Sequence, residues 1–386
     1  MKKVAILGGG PSGAFAAEQL ASRGIRTVLI DEKLAWEKPC GGGLTYKAWS
    51  QYPFLASNDT PKKSITETTL NSPGGKPVTL TLDQPLLIYS RFDLNRMLLD
   101  RAQAAGAQIE QTRILGAERS GDTWKLHTKQ GTIDADYCLL ATGARNPLRD
   151  LGTQLTPSDT MSALGYYVPG NRDKIDIQFL AGLEGYIWVF PRCGHLSVGI
   201  CGKGESAHSL RARLEHYMEE NSLSREGAVF YSHLLPCLGT PAWKHNRVAG
   251  DGWLAIGDAA GLVDPITGEG LYYALRSADL AVQSLTEGPA AASASYRRLL
   301  RRDFTLDLEF GSRLAHRIFH GKFLRGPVTD RMVQFTRLSP RFRGVMQDLF
   351  AGTQPYLGLK RRLLRNINWS LLEVIGNLGF GRLISR

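Results

Sequence analysis

Four short stretches carry residue types and spacings that could do chemistry. Gly8, Gly10 and Gly13 form a Gly-x-Gly-x-x-Gly run with Ser12 inside it. In such a run the first glycine permits a tight turn, the second lets backbone N–H groups approach a pyrophosphate, and the third allows a helix to pack closely on a strand. Asp31 lies 18 residues beyond Gly13, where a carboxylate can accept hydrogen bonds from a ribose diol. Far along the chain Gly257-Asp258-Ala259-Ala260 is a second small-residue turn bearing one acid. The run Cys40-Gly41-Gly42-Gly43 offers bare backbone to a flat ring. Tyr186, Trp188 and Phe190 alternate with Ile187 and Val189, so a strand there would turn three aromatic rings to one face.

These residues need particular elements to position them, and the flanking sequence supplies them. Lys3 to Leu7 reads as a short apolar strand, Ala14 to Arg23 as an Ala-rich helix stopped by Gly24, and Thr27 to Ile30 as a second buried strand ending at Asp31. A helix beginning at the glycine turn aims its N–H groups and positive dipole end at phosphates. This order predicts a dinucleotide-binding β-α-β unit but leaves FAD or NAD open. Tyr137 to Leu140 is another short strand, followed by Ala141-Thr142-Gly143, and Trp253 to Ile256 leads into the Gly257-Asp258 turn. After Asp264-Pro265-Ile266-Thr267-Gly268-Glu269-Gly270 a helix is expected from Leu271 to about Leu285.

Together these segments resemble the FAD-binding motifs of the flavoprotein class that includes aromatic hydroxylases, flavin halogenases and isoprenoid reductases. The resemblance implies FAD as cofactor, with Asp258 near the ribityl chain and the helix start at Gly270 and Leu271 beside the flavin pyrimidine end. A helix N-terminus there would stabilise an anionic reduced flavin. Arg91, at the start of an amphipathic helix, matches the class arginine that approaches the cofactor, against the plainer reading of a solvated charge. Ile114 falls where the class places a backbone contact to adenine, Thr142 and Gly143 belong to the Ala-Thr-Gly turn, and a simple strand role for Ile114 stays open.

Lys38-Pro39-Cys40-Gly41-Gly42-Gly43-Leu44-Thr45 and Gly185-Tyr186-Ile187-Trp188-Val189-Phe190-Pro191 look like signatures of the geranylgeranyl reductase family, flavoenzymes that saturate carbon–carbon double bonds of polyprenyl chains. The resemblance runs over residues 1 to 290. It implies flavin contacts for Cys40, Gly41 and Gly43, catalytic roles for Cys40, Tyr186 and Trp188, and an apolar isoprenoid substrate against Tyr186, Trp188 and Phe190. The alternatives are an inert buried thiol at Cys40 and plain sheet core for the rings. His195 is a further proton-donor candidate, weighed against a structural histidine. Halogenases of the class carry Trp-x-Trp-x-Ile-Pro where this chain has Tyr-Ile-Trp-Val-Phe-Pro, which argues against that branch. Hydroxylation of an aromatic small molecule by an FAD-dependent monooxygenase is the rival activity, since fold cannot separate the two. With one nucleotide fingerprint present, the electron donor is NADPH bound transiently, or ferredoxin or another donor protein.

The expected fold is α/β: a Rossmann-like, three-layer FAD-binding domain with a mostly parallel sheet (1–45, 91–150, 248–288) interleaved with an antiparallel-sheet substrate domain (46–90, 151–247) and followed by a basic helical region (289–386). The 386 residues exceed what one core usually fills, and 43% of them are hydrophobic. Five cysteines without paired spacing suggest neither a disulfide framework nor a zinc site, so no metal is expected. Val4 to Leu7 is too short for the apolar part of a signal peptide, which points to the cytoplasm.

The net charge of +11 is unevenly spread: residues 297–386 hold 18 Lys and Arg against 6 Asp and Glu. No nucleic-acid motif accompanies them, so nucleic acid is not an expected partner. Lys360, Arg361, Arg362 and Arg365 precede Ile367, Leu371, Leu372, Val374 and Ile375, a basic then apolar order. Such a segment can rest on the inner face of a membrane, or pack on the protein as a helical cap.

Overall fold

The computed structural model describes residues 3–148 and 150–365. The chain divides into two compact units, one of residues 1–38, 90–161 and 234–312, the other of 39–89, 162–233 and 313–386. The described part of the basic C-terminal region is shared between the two units. Its helix Ala292–Leu300 packs on Leu271–Glu287 in the first unit, whereas Val328–Leu338 and Pro340–Ala351 pack on the strand Gly75–Tyr89 in the second. Each buries an apolar stripe on whichever unit offers it a face. Cys40, Gly41 and Gly43, expected with the nucleotide-binding residues, belong to the second unit.

The first unit is built on a six-stranded sheet in the order Ala249–Gly250, Trp253–Ala255, Tyr137–Leu140, Lys3–Leu7, Arg26–Ile30, Gln108–Glu110. Every neighbouring pair is parallel except the edge pair Ala249–Gly250 and Trp253–Ala255. Val4, Ala5, Ile6 and Leu7 are all fully buried, as the run of apolar residues without alternation requires of a strand covered on both faces. The helix Pro11–Ala21 can lie close to this sheet because Gly13, Ala14, Ala16 and Ala17 present almost no side chain. It also packs against Arg91–Ala104 and Leu271–Glu287. A separate three-stranded antiparallel sheet, Ile114–Ser120, Thr123–Thr128 and Gly131–Ala135, completes this unit.

The second unit is built on an eight-stranded, mostly antiparallel sheet in which Glu184–Pro191 lies between Ile175–Phe179 and His195–Lys203. The alternation read from sequence holds here. Ile187 and Val189 are fully buried in a cluster with Leu210, Leu214 and Met218 of the helix Ala207–Glu220. Tyr186, Trp188 and Phe190 therefore occupy the opposite face of the same strand.

Candidate functional site

In the first unit the chemistry-bearing turns follow the carboxyl ends of adjacent parallel strands. Gly8 to Gly13 follows Lys3–Leu7, Ala141-Thr142-Gly143 follows Tyr137–Leu140, Gly257-Asp258 follows Trp253–Ala255, and Asp31 follows Arg26–Ile30. Open α/β sheets bind ligands at this edge, where helix N-termini and turn amides converge. Gly8 has φ +119°, and a Cβ there would stand 2.2 Å from the Ala141 carbonyl oxygen, so no other residue fits. A Cβ on Gly13 would lie 1.9 Å from the Gly8 oxygen, the packing role expected for it. Gly10 differs, because no atom of the described residues comes within 4 Å of the Cβ position. Its backbone, φ −67° and ψ −179°, is open to any residue, and no acid occupies the first turn of the helix it caps. Nothing in the protein demands glycine at this position, and the open cradle fits a phosphate.

The other turns are tied to this one. The Gly257 amide donates to the buried Ser277 hydroxyl at 2.9 Å, fixing the turn to the helix Leu271–Glu287, and Ser12 Oγ lies 2.9 Å from the Cβ position of Gly257. Asp258 pairs with Lys38 at 2.8 Å, both side chains largely buried. The loop before the helix closes on Asp264, whose carboxylate accepts from the Ile266 and Thr267 amides at 2.8 and 2.9 Å. Gly270 caps the helix and Leu271 opens it, while the Glu269 carboxylate accepts from the Tyr272 amide at 3.0 Å.

Asp31 is engaged with backbone. Its carboxylate accepts from the amides of Gly9 at 2.7 Å, Lys33 at 2.7 Å and Leu34 at 2.8 Å, so it shapes the glycine turn and keeps acceptor capacity for one further donor. Thr142 donates to Asn146 at 3.4 Å, Gly143 sits at φ +77° with nothing near its Cβ position, and Ile114 begins the edge strand of the three-stranded sheet beside a bulge.

Arg91 is not a solvated charge, being only 3% exposed. Its helix start is gripped by Glu37, which accepts from Ser90 Oγ at 2.5 Å and from the amides of Arg91 and Phe92 at 2.9 and 3.1 Å. The guanidinium reaches only Asn95 Oδ1, at 3.5 Å, and its Nε has no partner among the described residues. A buried cation without a counter-charge costs several kcal/mol unless a ligand supplies the anion, and a dinucleotide pyrophosphate would do so. The open Gly10 and the uncompensated Arg91 thus fit FAD.

In the second unit Arg192 organises the Cys40 loop. This fully buried residue donates through Nη2 to the Cys40 carbonyl and through Nε to that of Gly41, and its guanidinium lies 5.2 Å from the Tyr167 ring centroid. Ser197 Oγ also donates to the Cys40 carbonyl, at 3.0 Å, and shares a 2.9 Å hydrogen bond with the Tyr231 hydroxyl. Burial pushes that phenol well above its ordinary pKa, which keeps it neutral. Gly42 takes φ +83° and its Cβ would meet the Tyr89 oxygen at 2.1 Å, so the turn is obligatorily glycine. Gly41 and Gly43 leave space that the Phe190 ring fills, with Cβ positions 3.2 and 3.0 Å from it. Trp188 is buried over Gly199 and its indole N–H donates to Ser197 at 3.4 Å, while Tyr186 is half-buried edge-on to Trp188 at 6.3 Å. The Cys40 thiol accepts from the Gly42 amide at 3.3 Å, and His195 stands edge-on to Tyr167 at 5.3 Å.

Sequence reasoning missed Glu37, Lys38, Arg192 and Ser197 as organising residues. Glu37 and Lys38 sit just before the Cys40 run, a positional hint. The Lys38 partner is 220 residues away, a separation that no local pattern spans.

The chain matches the family model for pyridine nucleotide-disulphide oxidoreductases over residues 2–157. It is 27% identical to a chloroplastic geranylgeranyl diphosphate reductase of Oryza sativa subsp. japonica over 75% of this chain and 67% of that one. It is also 27% identical to a menaquinone reductase of Mycolicibacterium smegmatis, over 88% and 91%. A geranylgeranyl bacteriochlorophyll reductase-like structure from Thermoplasma acidophilum superposes with TM-score 0.76 at 22% identity, covering 95% of this chain and 99% of that one. A flavin-dependent brominase shares the fold more distantly, with TM-score 0.66 at 15% identity over 90% and 94%. With the strand-end turns that fit FAD, these likenesses mark the chain as an FAD-dependent oxidoreductase that is similar to the geranylgeranyl reductases and the menaquinone reductase.

Proposed function

We propose that the protein saturates carbon–carbon double bonds of a polyprenyl lipid, a geranylgeranyl chain or prenyl quinone, with electrons from bound FAD. The observation that carries this reading is the aromatic face of Tyr186 and Trp188 on a strand whose other face is sealed into core. Such a face suits a long apolar chain and can stabilise positive charge developing on an alkene carbon. FAD supplies two-electron reduction chemistry when bound. Gly10, Ser12 and Arg91 would hold its pyrophosphate, Asp31 the ribose, Ile114 the adenine, and Asp258, Gly270 and Leu271 the ribityl and pyrimidine end. Thr142 and Gly143 would line the same strand edge. Cys40, Gly41 and Gly43 would present backbone to the ring, with Phe190 as the packing behind that loop. The second alkene carbon needs a proton, and Tyr186 and Cys40 are the groups proposed to hold it. NADPH or a ferredoxin-type protein would replenish the electrons.

The test is anaerobic. FAD-loaded protein reduced with dithionite and mixed with a geranylgeranyl lipid is expected to return lipid carrying two more hydrogens per bond reduced. Lipid recovered unchanged, with oxygen-dependent hydroxylation of an aromatic compound by the same preparation, would replace this reading with the monooxygenase.

The polyprenyl reading also gives the basic region a role at the cytoplasmic face of a membrane. No helix among the described residues is long and apolar enough to cross one. Lys360 and Arg361 are exposed, with Leu357 and Leu364 more than half exposed, whereas Arg362 is taken up by Asp348 at 2.5 Å. Ile367, Leu371, Leu372, Val374 and Ile375 lie outside the described residues. Full-length protein is expected to sediment with vesicles containing anionic lipid and to be released by salt. Equal sedimentation with neutral vesicles would refute the electrostatic part.

A further inference from the structure

Apart from the glycine turns, one cluster among the described residues gathers metal-ligating side chains from distant parts of the sequence. His316 and His320 stand one turn apart at the end of the helix Leu306–His320, so both rings project to the same side, with centroids 4.9 Å apart. Glu184, the first residue of the strand Glu184–Pro191, points its carboxylate at them. Its Oε2 lies 3.8 Å from Nδ1 of His316 and 3.7 Å from Nε2 of His320. One ligand atom from each residue falls within 4.8 Å of the others.

We propose that Glu184, His316 and His320 bind a divalent transition-metal ion of the zinc class. Two imidazoles and one carboxylate are the donors such ions prefer over magnesium or calcium, and three protein ligands leave a fourth position to water. Bonds of about 2.0–2.1 Å in a tetrahedron separate neighbouring ligand atoms by roughly 3.3 Å, so small side-chain rotations close the observed gaps. The helix end is held against the sheet where Phe319 packs against Phe179 at 6.5 Å. The Glu184 side chain is 13% exposed and that of His316 76%, giving a site anchored at its base and open to incoming metal. The ion would clip the C-terminal end of the helix to the strand that carries Tyr186, Trp188 and Phe190. Lys203 lies opposite Glu184 in the antiparallel register, and Arg313 and Arg317 share the helix. These cations oppose a dication, so the site is of moderate affinity and loads at zinc concentrations above those that fill four-ligand structural sites.

The experiment titrates the full-length, FAD-loaded protein with Zn²⁺ against a chromophoric indicator, then substitutes Co²⁺ and records its visible spectrum. One ion per chain is expected, with affinity lowered tenfold or more in His316→Ala and in His320→Ala, FAD content unchanged, and cobalt bands free of thiolate charge transfer. His316 is largely exposed, so its removal leaves packing intact and separates lost ligation from misfolding. The proposal is overturned if the wild type binds no ion, if both variants bind as the wild type does, or if a thiolate band appears that is abolished by Cys193→Ser, which removes the exposed free cysteine of the chain. A cluster that only pairs the Glu184 carboxylate with the two imidazoles would give no saturable response to zinc.

Discussion

Gly13→Ala is expected to lose most of its FAD and about 3 kcal/mol of stability, whereas Gly10→Ala, three residues earlier, is expected to lose FAD affinity and no stability. At Gly13 the new methyl would stand 1.9 Å from the Gly8 oxygen. Both atoms belong to the rigid strand-turn-helix, so the helix must move off the sheet. At Gly10 the methyl meets no atom of the described residues within 4 Å, and φ −67° with ψ −179° suits alanine. Restricting the unfolded chain would even add about 0.4–1 kcal/mol to the apoprotein. Only a ligand would feel that methyl. Urea unfolding of the apoproteins and titration with FAD by fluorescence quenching check the pair. Wild-type FAD affinity in Gly10→Ala would remove the phosphate from this turn.

Arg91→Met carries the second large effect, with opposite signs in the two states. The apoprotein is expected to be as stable as the wild type or more so, because the substitution removes a charge that is 3% exposed and lacks an acidic partner among the described residues. FAD affinity is expected to fall by roughly 10- to 100-fold, the worth of one charge-assisted hydrogen bond at about 1.5–3 kcal/mol. Thermal unfolding with and without FAD reads both terms. If the apoprotein is instead strongly destabilised while FAD binds normally, Arg91 is a structural cation and the pyrophosphate lies elsewhere.

What the sequence disclosed follows from how local each feature is. The strand from Lys3 to Leu7, the glycine turn, the helix behind it and Asp31 at the end of the next strand all lie within about thirty residues, and their steric demands are written in residue type. The same holds for the alternation of Tyr186, Trp188 and Phe190 against Ile187 and Val189, which the sheet reproduces face for face. The Asp31 carboxylate was legible as an acid in the right place, but not as an acceptor for three backbone amides.

Features that depend on long-range contacts stayed hidden. The Lys38 to Asp258 pair, the hold of Arg192 on the Cys40 carbonyl, and the convergence of Glu184 with His316 and His320 each join residues more than a hundred positions apart. Arg91 shows a related limit, because its residue type and place at a helix start left a solvated charge open beside the cofactor-facing reading, and its burial follows from packing that the sequence does not show. The uneven charge was plain in the composition, yet its use was not. Arg362, within the basic stretch, meets Asp348 at 2.5 Å, so part of the basic excess is taken up by the protein itself.

The most direct test of prenyl reduction follows the yellow absorption of bound FAD. Bleached with dithionite under anaerobic conditions and then mixed with a geranylgeranyl lipid, the protein is expected to regain its colour in step with the lipid, one flavin reoxidised for each double bond saturated. A flavin that stays bleached with every prenyl lipid and recovers only when air is admitted would contradict it.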